Sequence, residues 1–157
     1  PEAHESLEPY KIGQHRHIPE IEQELRGVGT TGGKLTGPVT VAFTPHLVPM
    51  NRGILSTAYC RLSAQIPLNE LKALYREFYK GERFVRLHEE AVPNPRYIKG
   101  SNYCDIGVYA DQRAGWIVTV AAVDNLIKGA AGQAIQAMNL MMGLPEEMGL
   151  TAPGIYP

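Results

Sequence analysis

Two histidines and a glutamate, all within six residues, are the side chains of this sequence best suited to acid–base chemistry. Residues 15–20 read HRHIPE, so one residue separates His15 from His17, and Glu20 follows. An imidazole titrates near neutral pH and can serve as a general acid or base. If the stretch before Pro19 is extended, both rings face the same side. The pattern predicts a proton-transfer pair, or one proton shuttle beside a substrate-binding imidazole, with Glu20 orienting a ring or binding a substrate amide.

The same three residues have two other interpretations, and the sequence leaves both open. Histidines at a helix entrance can be ordinary surface residues of a loop. A His-x-His pair followed by Glu20 could also bind a metal ion, as in a metal-dependent hydrolase. Because no third histidine or cysteine ligand is nearby in the sequence, we predict that no metal is bound here.

A second segment whose residues could bind a ligand is 124–133, DNLIKGAAGQ, at the end of a strand-like run. The amide of Asn125 can make two hydrogen bonds to a carboxamide. Gly129 and Ala130 are small enough for a flat ligand or another backbone to approach closely. The alternative is that these small residues serve helix packing alone. We interpret Lys128 as a solvated side chain.

Three further residues could act in a site. Arg52 follows a Pro-Met-Asn turn at a strand entrance, where a guanidinium can bind a carboxylate or phosphate, or can lie on the surface. Cys60 and Cys104 both lie in predicted strands among apolar or aromatic neighbours. A reactive thiolate needs a positive and partly open setting, so we predict structural roles for both cysteines.

The periodicity of the chain predicts an α+β fold. A helix is expected from Pro19 to Gly27 and another from Pro67, with strands at 39–43, 54–62, 84–87, 103–110 and 116–123. The last helix should cover residues 126–142, with an apolar stripe of Ile127, Ala131, Ala134, Ile135, Met138 and Met142. Because strands and helices do not alternate regularly, we expect a mostly antiparallel mixed sheet with helices on one face.

Composition limits the class of protein. The 157 residues, 44% of them hydrophobic, suffice for a single domain over 1–157. A net charge of −1 argues against nucleic-acid binding, and no apolar run suits a membrane span. Two cysteines favour a reducing cytoplasm. The first residue is Pro1 rather than Met, which we interpret as a piece of a longer or processed chain.

Four segments together resemble one family. They read HRHIPEIEQ (15–23), TPHLVPMNRG (44–53), GSNYCD (100–105) and VDNLIKGAAGQA (123–134). In this order they are similar to the C-terminal half of the N-acetyl-gamma-glutamyl-phosphate reductases of arginine biosynthesis. The related reductases that act on an aminoadipyl phosphate in lysine biosynthesis would look similar. The resemblance implies a C-terminal domain of the glyceraldehyde-phosphate dehydrogenase type.

This resemblance also implies a reaction. A cysteine thiolate and an acyl phosphate form a thioester and release phosphate, and NADPH then reduces the thioester to an aldehyde. A histidine acts as acid and base in both steps. By this resemblance His17 is the acid/base, although His15 and His17 could exchange roles. The substrate contacts are His15, Glu20 and Arg52. The residues at NADP are Asn125, Gly129 and Ala130.

The sequence departs from the family in two places. The nucleophilic cysteine of a Gly-Cys-Tyr-Pro-like segment and the Gly-rich dinucleotide turn both lie upstream in the family, and neither occurs in these 157 residues. Cys104 lies in a different segment and does not inherit the nucleophile's role. We therefore expect this chain to be inactive alone, with helix 126–142 packing on a cofactor domain and the other sheet face forming a homo-oligomer interface. A non-catalytic dimerisation module is the alternative.

Overall fold

The computed structural model describes residues 5–31, 37–62 and 64–155. The chain divides into two compact units, Pro1–Met50 and Asn51–Pro157. The first unit contains the predicted histidine pair, and the second contains the sheet and the last helix. Within the described residues, no helix is long and apolar enough to cross a membrane.

Among its described residues, the first unit contains a short ribbon and a helix. Strand β1 (Glu8–Pro9) pairs antiparallel with β2 (His46–Leu47), and helix α1 covers His17–Thr31. The helix continues past Gly27, where we predicted its end, because one glycine costs a helix only about 1 kcal/mol. The predicted loop from 27 to 37 is thus helical up to Thr31, and its residues 32–36 lie outside the described residues.

The strand predicted at 39–43 does not form. These residues have no regular secondary structure. The backbone N–H of Val41 donates to the Glu22 carboxylate at 2.9 Å instead of to a neighbouring strand. A helix side chain thus accepts the backbone hydrogen bond that a neighbouring strand would otherwise accept.

The second unit is built on a four-stranded mixed sheet. Its strands are β3 (Ile54–Arg61), β4 (Val85–His88), β5 (Cys104–Asp111) and β6 (Trp116–Val123), in the spatial order β3-β6-β5-β4. The β3/β6 and β6/β5 pairs are antiparallel, and β4/β5 is parallel. The predicted α+β class with a mostly antiparallel mixed sheet is confirmed.

Helix α2 (Leu68–Phe78) covers one face of this sheet. Its buried Leu71 packs with Ile106 and Val108 of β5 and Ile117 of β6. The Tyr75 hydroxyl lies 3.3 Å from the Thr119 hydroxyl of β6. Of the apolar face that the sequence predicts for this helix, Leu71 is buried and Leu68 and Tyr75 pack against the core. Leu74 and Phe78 are instead 58% and 71% exposed.

The last helical segment differs from its prediction in both form and burial. A π-helical turn (Ile127–Ala131) precedes helix α3 (Gly132–Met141). The buried residues of α3 are Gly132, Gln136 and Asn139. The predicted apolar stripe is instead largely exposed on this unit, with Ile135, Met138 and Met142 at 39%, 50% and 70% exposure.

Gly132 explains which side of α3 faces inward. A Cβ at this position would lie 2.3 Å from the Asn102 Oδ1 and 2.8 Å from the Ile127 side chain. Only a glycine permits this approach, so the polar side of the helix lies against the 100–102 segment. Periodicity alone favoured the apolar side, because it carries no information about backbone contact.

We predict that Leu71→Ala lowers the free energy of unfolding by about 2–5 kcal/mol, because it leaves a cavity between α2 and the sheet. Leu74→Ala in the same helix is the matched control, since Leu74 is 58% exposed. Its effect should stay within about 0.5 kcal/mol. Urea unfolding of the chain measures both, and equal losses would contradict the assigned packing of α2.

Candidate functional site

His15 is a buried, neutral imidazole at the entrance of α1. It is 8% exposed, and its Nδ1 accepts a hydrogen bond from the His17 backbone N–H at 3.2 Å. Because Nδ1 accepts, the ring's own proton is on Nε2. The rings of Tyr10 and Phe43 make T-shaped contacts with it, with centroids 5.5 Å and 5.3 Å away. His15 thus caps the helix with its ring nitrogen.

Burial lowers the pKa of His15 below its ordinary value, and the nearby charges of His17, Lys11 and Arg16 lower it further. Protonation would also break the bond from His17 N–H to Nδ1, because both ring nitrogens would then be donors. His15 is therefore held in its neutral form near pH 7. This state suits a hydrogen-bond donor through Nε2 better than a proton shuttle.

His17 has the opposite environment. It is the first residue of α1, it is exposed, and its ring centroid lies 4.6 Å from that of His15. Glu20 is also exposed and lies in the first turn of the same helix. The structure thus brings the two predicted imidazoles into contact and leaves His17 as the accessible ring of the pair.

Arg52 already binds a carboxylate of the protein itself. Its Nη2 donates to Asp124 Oδ2 at 2.6 Å, and the Arg52 side chain is 29% exposed. Its Nε is buried and has no partner within the described part of the chain. The contact of Arg52 with substrate stays a prediction. The Asp124 carboxylate already offsets the charge of the guanidinium that would make this contact.

Asp124 is a residue that the sequence reasoning missed. Its side chain is fully buried, and it receives the Arg52 bond together with backbone N–H bonds from Gly100 (2.6 Å), Leu126 (2.8 Å) and Ile127 (3.1 Å). Burial by itself would raise the pKa of Asp124, but these donors outweigh it and lower the pKa. The signal in the sequence was an aspartate at a strand end, where it can bond the next turn.

Asn125 follows directly and has one half of its amide engaged. Its Oδ1 accepts from the Gly53 N–H at 2.7 Å. Its Nδ2 has no partner among the residues that the structure describes. The predicted pair of hydrogen bonds to a carboxamide therefore reduces to one, in which Asn125 donates.

Gly129 and Ala130 lie in the π-helical turn, and both are exposed. The turn is held by bonds from Gly129 N–H to the Asp124 carbonyl (2.8 Å) and from Ala131 N–H to the Leu126 carbonyl (3.1 Å). Its small exposed residues leave the backbone open to a flat ligand. Arg52, Asn125, Gly129 and Ala130 thus belong to the second unit, whereas His15, His17 and Glu20 belong to the first.

A network of polar side chains lies beneath α3. Gln136 Oε1 accepts from Asn102 Nδ2 at 2.9 Å and from Lys128 Nζ at 2.6 Å, and Gln136 Nε2 donates to Glu146 at 2.5 Å. Burial lowers the pKa of Lys128. The interpretation of Lys128 as a solvated side chain is therefore wrong.

The two cysteines differ in environment. Cys60 is exposed, as are all eight residues of the strand β3 in which it lies. Cys104 is half-buried, and burial raises the pKa of its thiol. Within the described ranges, no group of three or more His, Cys, Asp or Glu residues is placed to hold a metal ion.

The family model described as "Semialdehyde dehydrogenase, dimerisation domain" matches residues 1–125. The chain belongs to this family. Its fold is also that of solved semialdehyde dehydrogenases. Aspartate semialdehyde dehydrogenase from Francisella tularensis has a TM-score of 0.67 at 17% identity, and the match covers 88% of this chain and 40% of that one. Aspartate semialdehyde dehydrogenase II from Vibrio cholerae, complexed with ASA, has a TM-score of 0.66 at 18% identity, and the match covers 91% of this chain and 43% of that one.

Curated relatives add a more specific name. A protein from Geobacter metallireducens named N-acetyl-gamma-glutamyl-phosphate reductase is 52% identical over 99% of this chain and 44% of its own length. One of the same name from Pelotomaculum thermopropionicum is 48% identical over the same shares. The resemblance drawn from the four segments is confirmed, and the chain spans less than half the length of these relatives.

The state of His15 gives a prediction about pH. Between the lowered pKa of the folded state and 6.5, the unfolded chain binds a proton that the folded chain does not. The free energy of unfolding should therefore fall as the pH drops below 6.5, and level off below the folded pKa. In His15→Gln this part of the pH dependence should disappear.

Urea unfolding between pH 8 and pH 5 measures the effect, and ¹⁵N NMR of the imidazoles identifies the ring that titrates. At neutral pH the Nδ1 of His15 should show the shift of an unprotonated nitrogen. A His15 ring that titrates above 6.5, or that has its proton on Nδ1, would contradict the assignment.

Proposed function

We propose that this chain is the C-terminal catalytic and dimerisation part of an N-acetyl-gamma-glutamyl-phosphate reductase, a cytoplasmic NADP-dependent enzyme of arginine biosynthesis. The reaction is the reduction of N-acetyl-glutamyl 5-phosphate to its semialdehyde, with release of phosphate. The observation that carries the proposal is the match of relatives with this name across 99% of the chain. The alternative is the related aminoadipyl-phosphate reductase of lysine biosynthesis. Assays in which the two acyl phosphates compete distinguish the two enzymes.

His17 is the acid/base in this proposal. The structure supports it with the exposure of the ring and with the buried, neutral state of His15. A general acid/base must reach the reacting atoms and change its protonation state during turnover. His15 and Glu20 are then contacts for the polar groups of the substrate, with Nε2–H of His15 as a donor.

Asn125, Gly129 and Ala130 form the cofactor contact in this proposal. When bound, NADPH supplies the hydride. The unpartnered Nδ2 of Asn125 fits the oxygen of a nicotinamide carboxamide, and the exposed turn at 129–130 fits a flat ring. Together with its relatives' name, this fit supports a nicotinamide cofactor, and NADP is our assignment.

The outer side of α3 supports a further part of the proposal. Its apolar side chains are exposed on this unit while Gln136 and Asn139 are buried, the reverse of an ordinary surface helix. We propose that residues 1–157 act as one domain, that helix 126–142 packs on a cofactor domain, and that the chain alone is inactive because it holds no segment that matches the family's nucleophile.

The uncovered edge and faces of β3 support a homo-oligomer through the sheet. All eight residues of β3 are exposed, including Leu55 at 51% and Tyr59 at 65%. Long exposed apolar strands are unusual on an isolated domain and typical of an interface.

We predict that His17→Ala lowers kcat by about 10²–10⁴-fold in the complete protein, because the proton transfers lose their side chain. His46→Ala is the matched control, since His46 is also exposed and bonds only a local carbonyl of Thr44. Steady-state assays with N-acetyl-glutamyl 5-phosphate and NADPH measure both. Unchanged turnover in His17→Ala would remove this residue from the mechanism.

Asn125→Ala should raise the KM for NADPH about tenfold and leave the KM for the acyl phosphate within about twofold, because of the two substrates only NADPH loses a hydrogen bond. Asn94→Ala is the control, since Asn94 likewise bonds one backbone N–H, that of Arg96. Isothermal titration with NADP⁺ checks the binding directly. A rise confined to the KM for the acyl phosphate would contradict the assignment of Asn125 to the cofactor.

A further inference from the structure

Asp124 connects three separate stretches of the second unit. Its Oδ2 receives Arg52 Nη2 and Gly100 N–H, both at 2.6 Å, and its Oδ1 receives the N–H groups of Leu126 and Ile127. These donors come from the entrance of β3, from the loop before β5 and from the start of the π-helical turn. One buried carboxylate thus fixes the relative positions of all three.

Asn125 lies inside this arrangement. Its Oδ1 accepts from Gly53 N–H, and Gly53 is the residue after Arg52. Asp124 holds Arg52 while Asn125 holds Gly53, so two adjacent side chains bind two adjacent residues of the β3 entrance. This double contact leaves only the Asn125 Nδ2 to face a ligand.

Gly53 itself can serve only as a glycine here. Its φ is +109°, and a Cβ would lie 2.4 Å from that of Pro95. The N–H that orients Asn125 is therefore presented by a backbone conformation that L residues rarely adopt. Glycine adopts this conformation without strain, and the Arg52–Asp124 pair fixes the residue directly before it.

We propose that Asp124 is a positioning residue, which orients the donor of Asn125 and the 127–131 turn toward the cofactor through Arg52, Gly100 and the first N–H groups of the turn. The inference rests on the proposed function, since it assumes that Asn125 meets the nicotinamide. It assigns Arg52 the role of the partner of Asp124. Asp124 itself touches no reacting atom.

The test compares Asp124→Asn with wild type in the complete protein. Asparagine keeps the oxygen that accepts from Leu126 and Ile127 but places an NH₂ group against two donors, Arg52 and Gly100. We expect amide hydrogen exchange at Gly100, Leu126 and Ile127 to accelerate about tenfold, with Leu71 of α2 unchanged. The KM for NADPH should rise about tenfold while the KM for the acyl phosphate stays within about twofold.

The matched control is Asp111→Asn. Asp111 is another strand-end aspartate whose Oδ1 accepts a turn N–H, that of Ala114, but it is half-exposed and its cation Arg113 is 3.7 Å away at the surface. This variant should leave both KM values and the exchange near Asn125 unchanged. This control separates the general effect of replacing a strand-end aspartate by asparagine from the effect that is specific to Asp124.

A second variant covers the case in which Asp124→Asn does not fold. Arg52→Lys keeps a positive charge but removes the planar fork, so it should produce the same shift in the KM for NADPH with a smaller size. Accelerated exchange without a selective rise in the KM for NADPH would make Asp124 merely structural and overturn the inference. An unchanged KM for NADPH in Arg52→Lys would overturn it as well, because the Arg52–Asp124 pair would then not act on the cofactor contact. A wild-type protein that is inactive with NADPH and acyl phosphate would instead contradict the proposed function.

Discussion

The buried carboxylate of Asp124 is the interaction on which the arrangement of the second unit's candidate site depends. A fully buried charge is stable only when donors surround it, and here one guanidinium and three backbone N–H groups do so. Removing one partner of such a pair typically costs about 3–5 kcal/mol. The start of β3, the loop at Gly100 and the turn after β6 are therefore all bonded to one carboxylate, and Asn125 lies directly beside it.

The polar side of α3 extends the same constraint. Gln136 and Asn139 face inward and bond Asn102, Lys128 and the 146–148 segment, so the helix is anchored by hydrogen bonds rather than by apolar packing. Hydrogen bonds are directional and fix the rotation of a helix about its axis more narrowly than apolar contacts do. The apolar side is thereby turned outward, where a second protein surface can bury it. A helix built in this way positions a site and offers an interface at once.

Much of this could be predicted from the sequence, and the exceptions have physical causes. The strands at 54–61 and 116–123 follow from runs of strand-forming residues, and helix α2 follows from a 3.6-residue apolar period. The inward side of α3 could not be predicted in this way, since Gly132 selects it through contact with Asn102. The neutral state of His15 depends on Tyr10 and Phe43, which lie apart from it in the sequence. Asp124 was missed because its donors come from residues up to 72 positions away.

The most direct test of the account is a crystal structure of the complete protein with NADP⁺ bound. The account predicts that Asn125 Nδ2 lies about 3 Å from the oxygen of the nicotinamide carboxamide, with Oδ1 still bound to Gly53 N–H and the Asp124 bonds intact. A nicotinamide bound away from residues 125–130, or an Asn125 side chain rotated to accept from the carboxamide, would contradict it.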